Sequence, residues 1–269
     1  METNHNQLML ALKEFVVTKI QVEQNGIPTI FDNAILQAIN TLKEHTNDKA
    51  LLFLQRTNQL IGRIDSPRFL PPINRITEMN GSDIPYFTRV CSQGTRTCMT
   101  WRGKPIFKNV FDLAVYQMLV WEQRPKTIIE IGTGESLKWF HAQQLECGIE
   151  GVIVGVDKKK HSYDKGINYI QGDVENISSL LPHNLLSSLP KPWLVVEDVH
   201  VNVLGILEHI SPFVVPGDYI VVEDSIHKQE TIVEWLNSTD REFLIDSKFV
   251  DFFGVNSTSS PNSIFICSS

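Results

Sequence analysis

The sequence predicts an α/β protein: a doubly wound, mostly parallel sheet behind a helical N-terminal segment. Three observations carry this. From Lys126 onward, short apolar runs alternate with helical stretches, the pattern of a parallel sheet. Those runs are continuous and β-branched, as strands covered on both faces are. Before them, residues 1 to about 62 show instead apolar residues at mixed three- and four-residue spacing, a helical period.

Taken in order, the N-terminal stretch carries Leu8, Leu10, Leu12, Phe15, Val16 and Ile20 on one stripe. A second helical stretch, Asn33 to Leu42, follows Asp32 as N-cap, and a third spans Asp48 to Leu60. Residues 64 to 100 are broken by Pro67, Pro71, Pro72, Gly81, Pro85 and Gly94, which reads as a linker or a loop flanking a site. We place the boundary between the helical segment (1–85) and the α/β domain (86–269) there. The strands expected next are KTIIEIG (Lys126 to Gly132), Val152 to Asp157, Ile167 to Ile170, Trp193 to Asp198 and Tyr219 to Asp224. Helices are expected at Ser136 to Leu145, about 201 to 210 and about 228 to 237. Ser263 to Cys267 reads as a late edge strand.

The 269 residues, 42% apolar and 20% charged, suit a globular protein. A formal net charge of −7 argues against nucleic acid or an anionic membrane as partner. The first residues (METNHNQL) lack the basic and apolar regions of a signal peptide, and no run approaches the ~18 apolar residues of a spanning helix. The 4 cysteines, Cys91, Cys98, Cys147 and Cys267, form no CxxC pair, so a reducing cytoplasm is the expected location.

Acids fall at the strand ends: Glu130, Asp157, Glu197 with Asp198, and Glu223 with Asp224. In an open α/β sheet ligands bind at the carboxyl ends of strands, so these acids are expected to converge on one crevice, with Asp173 on the same rim. Glu130-Ile131-Gly132-Thr133-Gly134-Glu135-Ser136 has the form E-x-G-x-G-x-S. Its glycines permit a tight turn and close approach to a ligand, and the helix beyond offers free N–H groups. A dinucleotide fingerprint wants a third glycine where Leu137 stands. The motif instead resembles the first motif of class I methyltransferases, which cradles S-adenosylmethionine. Glu130, Gly132, Thr133, Gly134 and Ser136 are therefore the expected cofactor contacts. Asp157 is placed for the ribose hydroxyls and Asp173 for the adenine amino group.

Glu197, Asp198, His200, Glu223 and Asp224 gather four carboxylates and an imidazole at neighbouring strand ends. Unpaired, such acids repel and raise one another's pKa values. Mg²⁺ or a similar hard cation would relieve that and could lower the pKa of a substrate hydroxyl. His200 is then the candidate general base. Counter-charge from nearby lysines or arginines would serve the acids equally well.

At this point a resemblance becomes specific. WRGKPIFKNVFDLAVYQMLVWEQRPKTIIEIG, EDVHVNVLGILEHISPFVVPGDYIVVED and FFGVNSTSSPNSIFI resemble the family of rhamnosyl O-methyltransferases and the so-called cephalosporin hydroxylase, from about Thr100 to Ile266. The chain resembles the macrolide-sugar O-methyltransferases more distantly. The resemblance implies a class I methyltransferase (Rossmann-like) fold, S-adenosylmethionine as cofactor, and a metal held by Glu197, Glu223 and Asp224, with His200 as base. Glu197 stands where the family has aspartate, so either it folds back or Asp198 replaces it. The glycine loop is shorter than the family's.

The activity implied is metal-assisted transfer of a methyl group to a hydroxyl of a small molecule, a sugar or a secondary metabolite in natural product biosynthesis. Trp101, Tyr116 and the 64 to 100 stretch are the candidates for shaping the acceptor pocket. A homo-oligomer is expected. A non-catalytic cofactor-binding relative, acting as a partner or scaffold protein, is the alternative. A nicotinamide oxidoreductase leaves the acids after the fourth and fifth strands unexplained. An iron oxygenase needs two histidines and a carboxylate, and the 8 histidines are dispersed with no His-x-Asp or His-x-Glu.

Overall fold

A computed structural model of the protein describes residues 67–269, apart from Asn80 and Asp164. The helical stretches expected before residue 62 lie outside the described residues. Pro67 to Ser269 form one compact unit.

The unit is built on an eight-stranded sheet in the order β1-β9-β10-β8-β7-β4-β5-β6. Here β1 is Phe69–Leu70, β4 Thr127–Ile131, β5 Val152–Asp157, β6 Ile167–Gln171, β7 Trp193–Glu197, β8 Tyr219–Val222, β9 Phe243–Asp246 and β10 Ile264–Cys267. A separate small hairpin joins β2 (Thr100–Trp101) to β3 (Lys104–Pro105), turning through Arg102 and Gly103, both at positive φ. Strands β4 to β8 pair in parallel. β10 runs antiparallel between β8 and β9, and β1 lies antiparallel on β9. The expected doubly wound, mostly parallel sheet is therefore present. β10 is an interior strand, where an edge strand was expected. β8 ends two residues earlier than expected because Asp224 adopts a left-handed turn (φ 47).

Helix α1 (Pro72–Glu78) begins with proline at its first position, and α2 (Tyr86–Cys91) follows Pro85. These prolines start helices where they were read as breaks. Both helices carry a buried arginine to the C-terminal loop. Arg75 meets Asn262 Oδ1 at 2.9 Å and Asp251 at 2.6 Å, and Arg89 donates to the Thr258 carbonyl. The pairing of β1 with β9 also draws residues before 85 into the α/β unit.

Helix α3 (Val110–Gln123) is capped by Asn109, whose side chain accepts from the Asp112 amide at 2.9 Å. It packs with α4 (Glu135–Glu146), and α5 (Val203–Ile210) packs with α6 (Gln229–Ser238). Trp193, Trp235, Phe140, Phe249 and Phe265 are the largest fully buried side chains. No helix of the described residues is long and apolar enough to cross a membrane.

Phe140 joins α4 to α3, its ring edge-on to Tyr116 at 5.0 Å, and it is fully buried. Phe140→Ala is expected to cost ~3–5 kcal/mol through lost transfer energy and the cavity left behind. Urea unfolding should show a lowered midpoint with an unchanged slope.

Candidate active site

The turn after β4 forms one wall of a cleft of about 650 Å³ at the carboxyl ends of β4, β5 and β7. The Gly132 amide donates to Val156 O at 2.8 Å, and Tyr163 OH donates to Gly134 O at 3.1 Å. Gly132 has φ 88, and a Cβ there would collide with the Asp198 carbonyl. Gly134, the N-cap of α4, has nothing within 4 Å of its Cβ position and no side-chain cap bond. The first N–H groups of α4 therefore stand at the cleft.

Gly132, Thr133, Gly134, Ser136, Asp157 and Asp173 all line this cleft, together with His200. The structure thus brings the expected cofactor set together, save Glu130. Glu130 is fully buried beneath the turn, where its Oε2 accepts from Thr133 Oγ1 at 2.6 Å. It braces the turn from below. Asp157 Oδ1 accepts from the Lys159 amide at 2.6 Å, and its second oxygen makes no hydrogen bond among the described residues. Asp173 caps a short 3₁₀ turn through the Glu175 amide at 3.2 Å.

The acids of the fourth and fifth expected strands are arranged otherwise than as three metal ligands. Glu197 is fully buried; Oε1 accepts from the Val199 amide at 3.0 Å and Oε2 from Lys228 Nζ at 2.9 Å. Burial pushes its pKa up, against the pull of Lys228. Glu223 Oε1 accepts from Lys108 Nζ and from Tyr116 OH, each at 2.6 Å. Burial and the charge of Asp198 push the Glu223 carboxyl well above the usual range, against Lys108. Asp224 stands out on its left-handed turn, 56% exposed, with Oδ2 3.8 Å from His200 Nε2. His200 is 72% exposed. Among the described residues no group of three or more His, Cys, Asp or Glu is arranged to hold a metal ion.

Lys108 is the centre of this arrangement. Its Nζ lies 2.6 Å from Glu223, 2.7 Å from Asp198 Oδ2 and 3.6 Å from Glu130. Burial alone would lower its pKa, but the three carboxylates hold it well above the ordinary lysine value. Asp112, one helical turn before Tyr116 on α3, is pushed up to about 6, chiefly by burial. Lys108, Asp112 and Lys228 were not among the expected site residues, and Tyr116 was expected only at the acceptor pocket. It is instead buried with its hydroxyl on Glu223. Trp101 lies in a separate depression beside Arg102, Lys104 and Lys138. The available signal was the excess of apolar-flanked acids, which demands buried cations.

Residues 93–243, more than half of the chain, match the model of the family described as rhamnosyl O-methyltransferase/CmcI. A curated rhamnosyl O-methyltransferase of Mycobacterium leprae (strain TN) is 29% identical over 139 residues, 47% of this chain and 60% of that protein. The chain thus spans less than two thirds of the length of the curated relative it matches. Among solved structures, an apo structure of CmcI has a TM-score of 0.57 at 24% identity, covering 76% of this chain and 87% of that one. CmcI with Mg and SAM has a TM-score of 0.56 at 23% identity, covering 76% and 88%. These structural likenesses establish the fold.

The two glycines of the turn should respond differently to a methyl group. Gly132→Ala places an L-residue in left-handed space, at ~1–2 kcal/mol, and adds the collision with Asp198. Its unfolding midpoint should fall clearly. Gly134→Ala meets no neighbour and should change stability by no more than ~0.5 kcal/mol. Chemical denaturation of both variants checks this contrast.

Proposed function

The chain belongs to the rhamnosyl O-methyltransferase/CmcI family, and from that premise we propose that it moves the methyl group of S-adenosylmethionine to a hydroxyl of a small molecule, a sugar or secondary metabolite. The observation that carries this reading is the cleft, where the glycine turn, Asp157 and Asp173 line one cavity with His200.

When bound, S-adenosylmethionine supplies an electrophilic methyl group on a sulfonium. The chain's own residues bind, orient and move a proton. The turn and the α4 N-terminus receive the carboxylate end of the cofactor, because free N–H groups and the helix dipole favour an anion there. The unbonded oxygen of Asp157 takes the ribose hydroxyls, and Asp173 the adenine edge. His200 Nε2 accepts the proton of the acceptor hydroxyl, with the Asp224 carboxylate beside it at 3.8 Å. Holding the acceptor oxygen in line with the methyl group supplies much of the rate enhancement. Phe107 and Val201, both exposed on the cleft wall, offer the acceptor an apolar surface.

Magnesium dependence, expected from the resemblance, needs Glu197, Glu223 and Asp224 as ligands. Glu197 and Glu223 are taken up by Lys228 and Lys108, and Asp224 faces His200, so the residues present do not fit that group as arranged. A helical N-terminal segment ahead of the unit that begins at Pro67, the homo-oligomer and the cytoplasmic location belong to this reading on the sequence pattern and the resemblance.

A second reading, a non-catalytic cofactor-binding relative acting as a partner or scaffold, draws on the same internal pairing of the acids. Calorimetric titration with S-adenosylmethionine and a turnover screen over hydroxylated acceptors separate the two. Asp157→Ala should weaken cofactor binding by ~10–100-fold, as loss of a charged hydrogen bond does; unaltered affinity removes Asp157 from the ribose role. His200→Ala should lower turnover ~100-fold with cofactor affinity almost unchanged. Equal loss of both would sink the base assignment. Cofactor binding with no turnover on any acceptor favours the second reading, and no binding overturns the proposal.

A further inference from the structure

The ammonium of Lys108 joins three strand ends. Glu130 lies on β4, Asp198 immediately follows β7, and Glu223 immediately follows β8. Their carboxylates stand 3.6, 2.7 and 2.6 Å from one nitrogen, and the lysine is 2% exposed. A divalent ion bridging these strand ends would have to share carboxylates whose Glu223 Oε1 and Asp198 Oδ2 the ammonium already occupies. It would either sit against the ammonium, like charge on like charge in a poorly solvated site, or displace it and leave a buried ammonium unpaired. The neighbouring acid is closed as well, since both oxygens of Glu197 are bonded, one to the Val199 amide and one to Lys228. The α3 helix holds the arrangement in register. Tyr116, on that helix, donates to the Glu223 oxygen that Lys108 also binds.

We propose that Lys108 is the resident cation of this cleft: a built-in ammonium ties the ends of β4, β7 and β8 together where a divalent metal ion would otherwise be required. The cleft therefore assembles, and takes its cofactor, without metal. The cofactor part rests on the function proposed above; the assembly part does not. Lys108 is a positioning residue, since it acts through Asp198 and Glu223 on the strand ends that frame the turn at Gly132.

The test uses the full chain, stripped with a chelator and then supplied with millimolar MgCl₂ or MnCl₂. Thermal unfolding and calorimetric metal titration are read first. The unsubstituted protein should show the same unfolding midpoint in all three states and no saturable heat of metal binding. Its affinity for S-adenosylmethionine should change less than ~2-fold between chelator and Mg²⁺. Lys108→Ala removes the cation but leaves the carboxylates. Its midpoint should fall, and millimolar Mg²⁺ should restore part of the loss, because a ligand that binds only the folded state raises its stability. Glu223→Gln in the same background should abolish that rescue.

A saturable metal heat in the unsubstituted protein, a midpoint that drops on chelation, or a more than ~10-fold loss of cofactor affinity on chelation would each overturn the proposal. So would a folded Lys108→Ala protein that gains nothing from Mg²⁺. If that variant does not fold, the measurements on the unsubstituted protein still decide. Absence of cofactor binding in every state would remove the proposed function. Metal-independent thermal stability would still support the role of Lys108.

Discussion

Parallel strands that deliver acids to one edge of a sheet create a charge problem, and the rest of this structure is arranged around its solution. Glu130, Glu197 and Glu223 are all nearly inaccessible to solvent, and each sits at or next to a strand end. A buried carboxylate without compensation is costly. Two lysines answer it. Lys108 comes from the loop before α3 and Lys228 from the turn before α6, so the helices flanking the sheet are pinned to it by charge as well as by packing.

The pinning has a geometric effect on the cleft. Glu130 reaches up to Thr133, Lys108 reaches across to Asp198, and the Asp198 backbone closes on Gly132 so tightly that only glycine fits. The glycine turn is therefore shaped from beneath by the acid cluster. The rim residues Asp157, Asp173 and His200 remain at the surface of the same cavity. Buried acids shape the site, and exposed ones remain available to a ligand.

Much of the fold was legible in the sequence, for a physical reason. Strands β4, β5, β7 and β8 are covered on both faces, which forces unbroken β-branched runs such as VIVGVD and WLVVE. α3 escaped because its apolar residues show little sidedness, so no clean stripe marks it. α1 and α2 escaped because proline at or before a first helical position looks like proline anywhere else. The C-terminal loop gave no pattern at all: Asn256, Ser257, Thr258 and Asn262 are polar yet buried, and Asn256, Asn262 and the Thr258 carbonyl are met by arginines far away in sequence. At the site, the cofactor rim was legible because its residues are contiguous or end strands. The partners of the acids were not. Lys108 lies 90 residues before Asp198 and 115 before Glu223, and no local pattern links them.

The position of β10 has a consequence for how the chain reaches this state. The crossover through α6 sets β8 and β9 apart by one strand, and β10 must slide antiparallel into the slot between them. Until it does, two rows of unpaired backbone donors and acceptors face each other across a gap. Such rows are templates for any extended segment, including the same segment of another molecule. Wherever β10 is missing from its slot, the sheet is open to pairing with another chain on the side away from the cleft walls formed by β4 and β5.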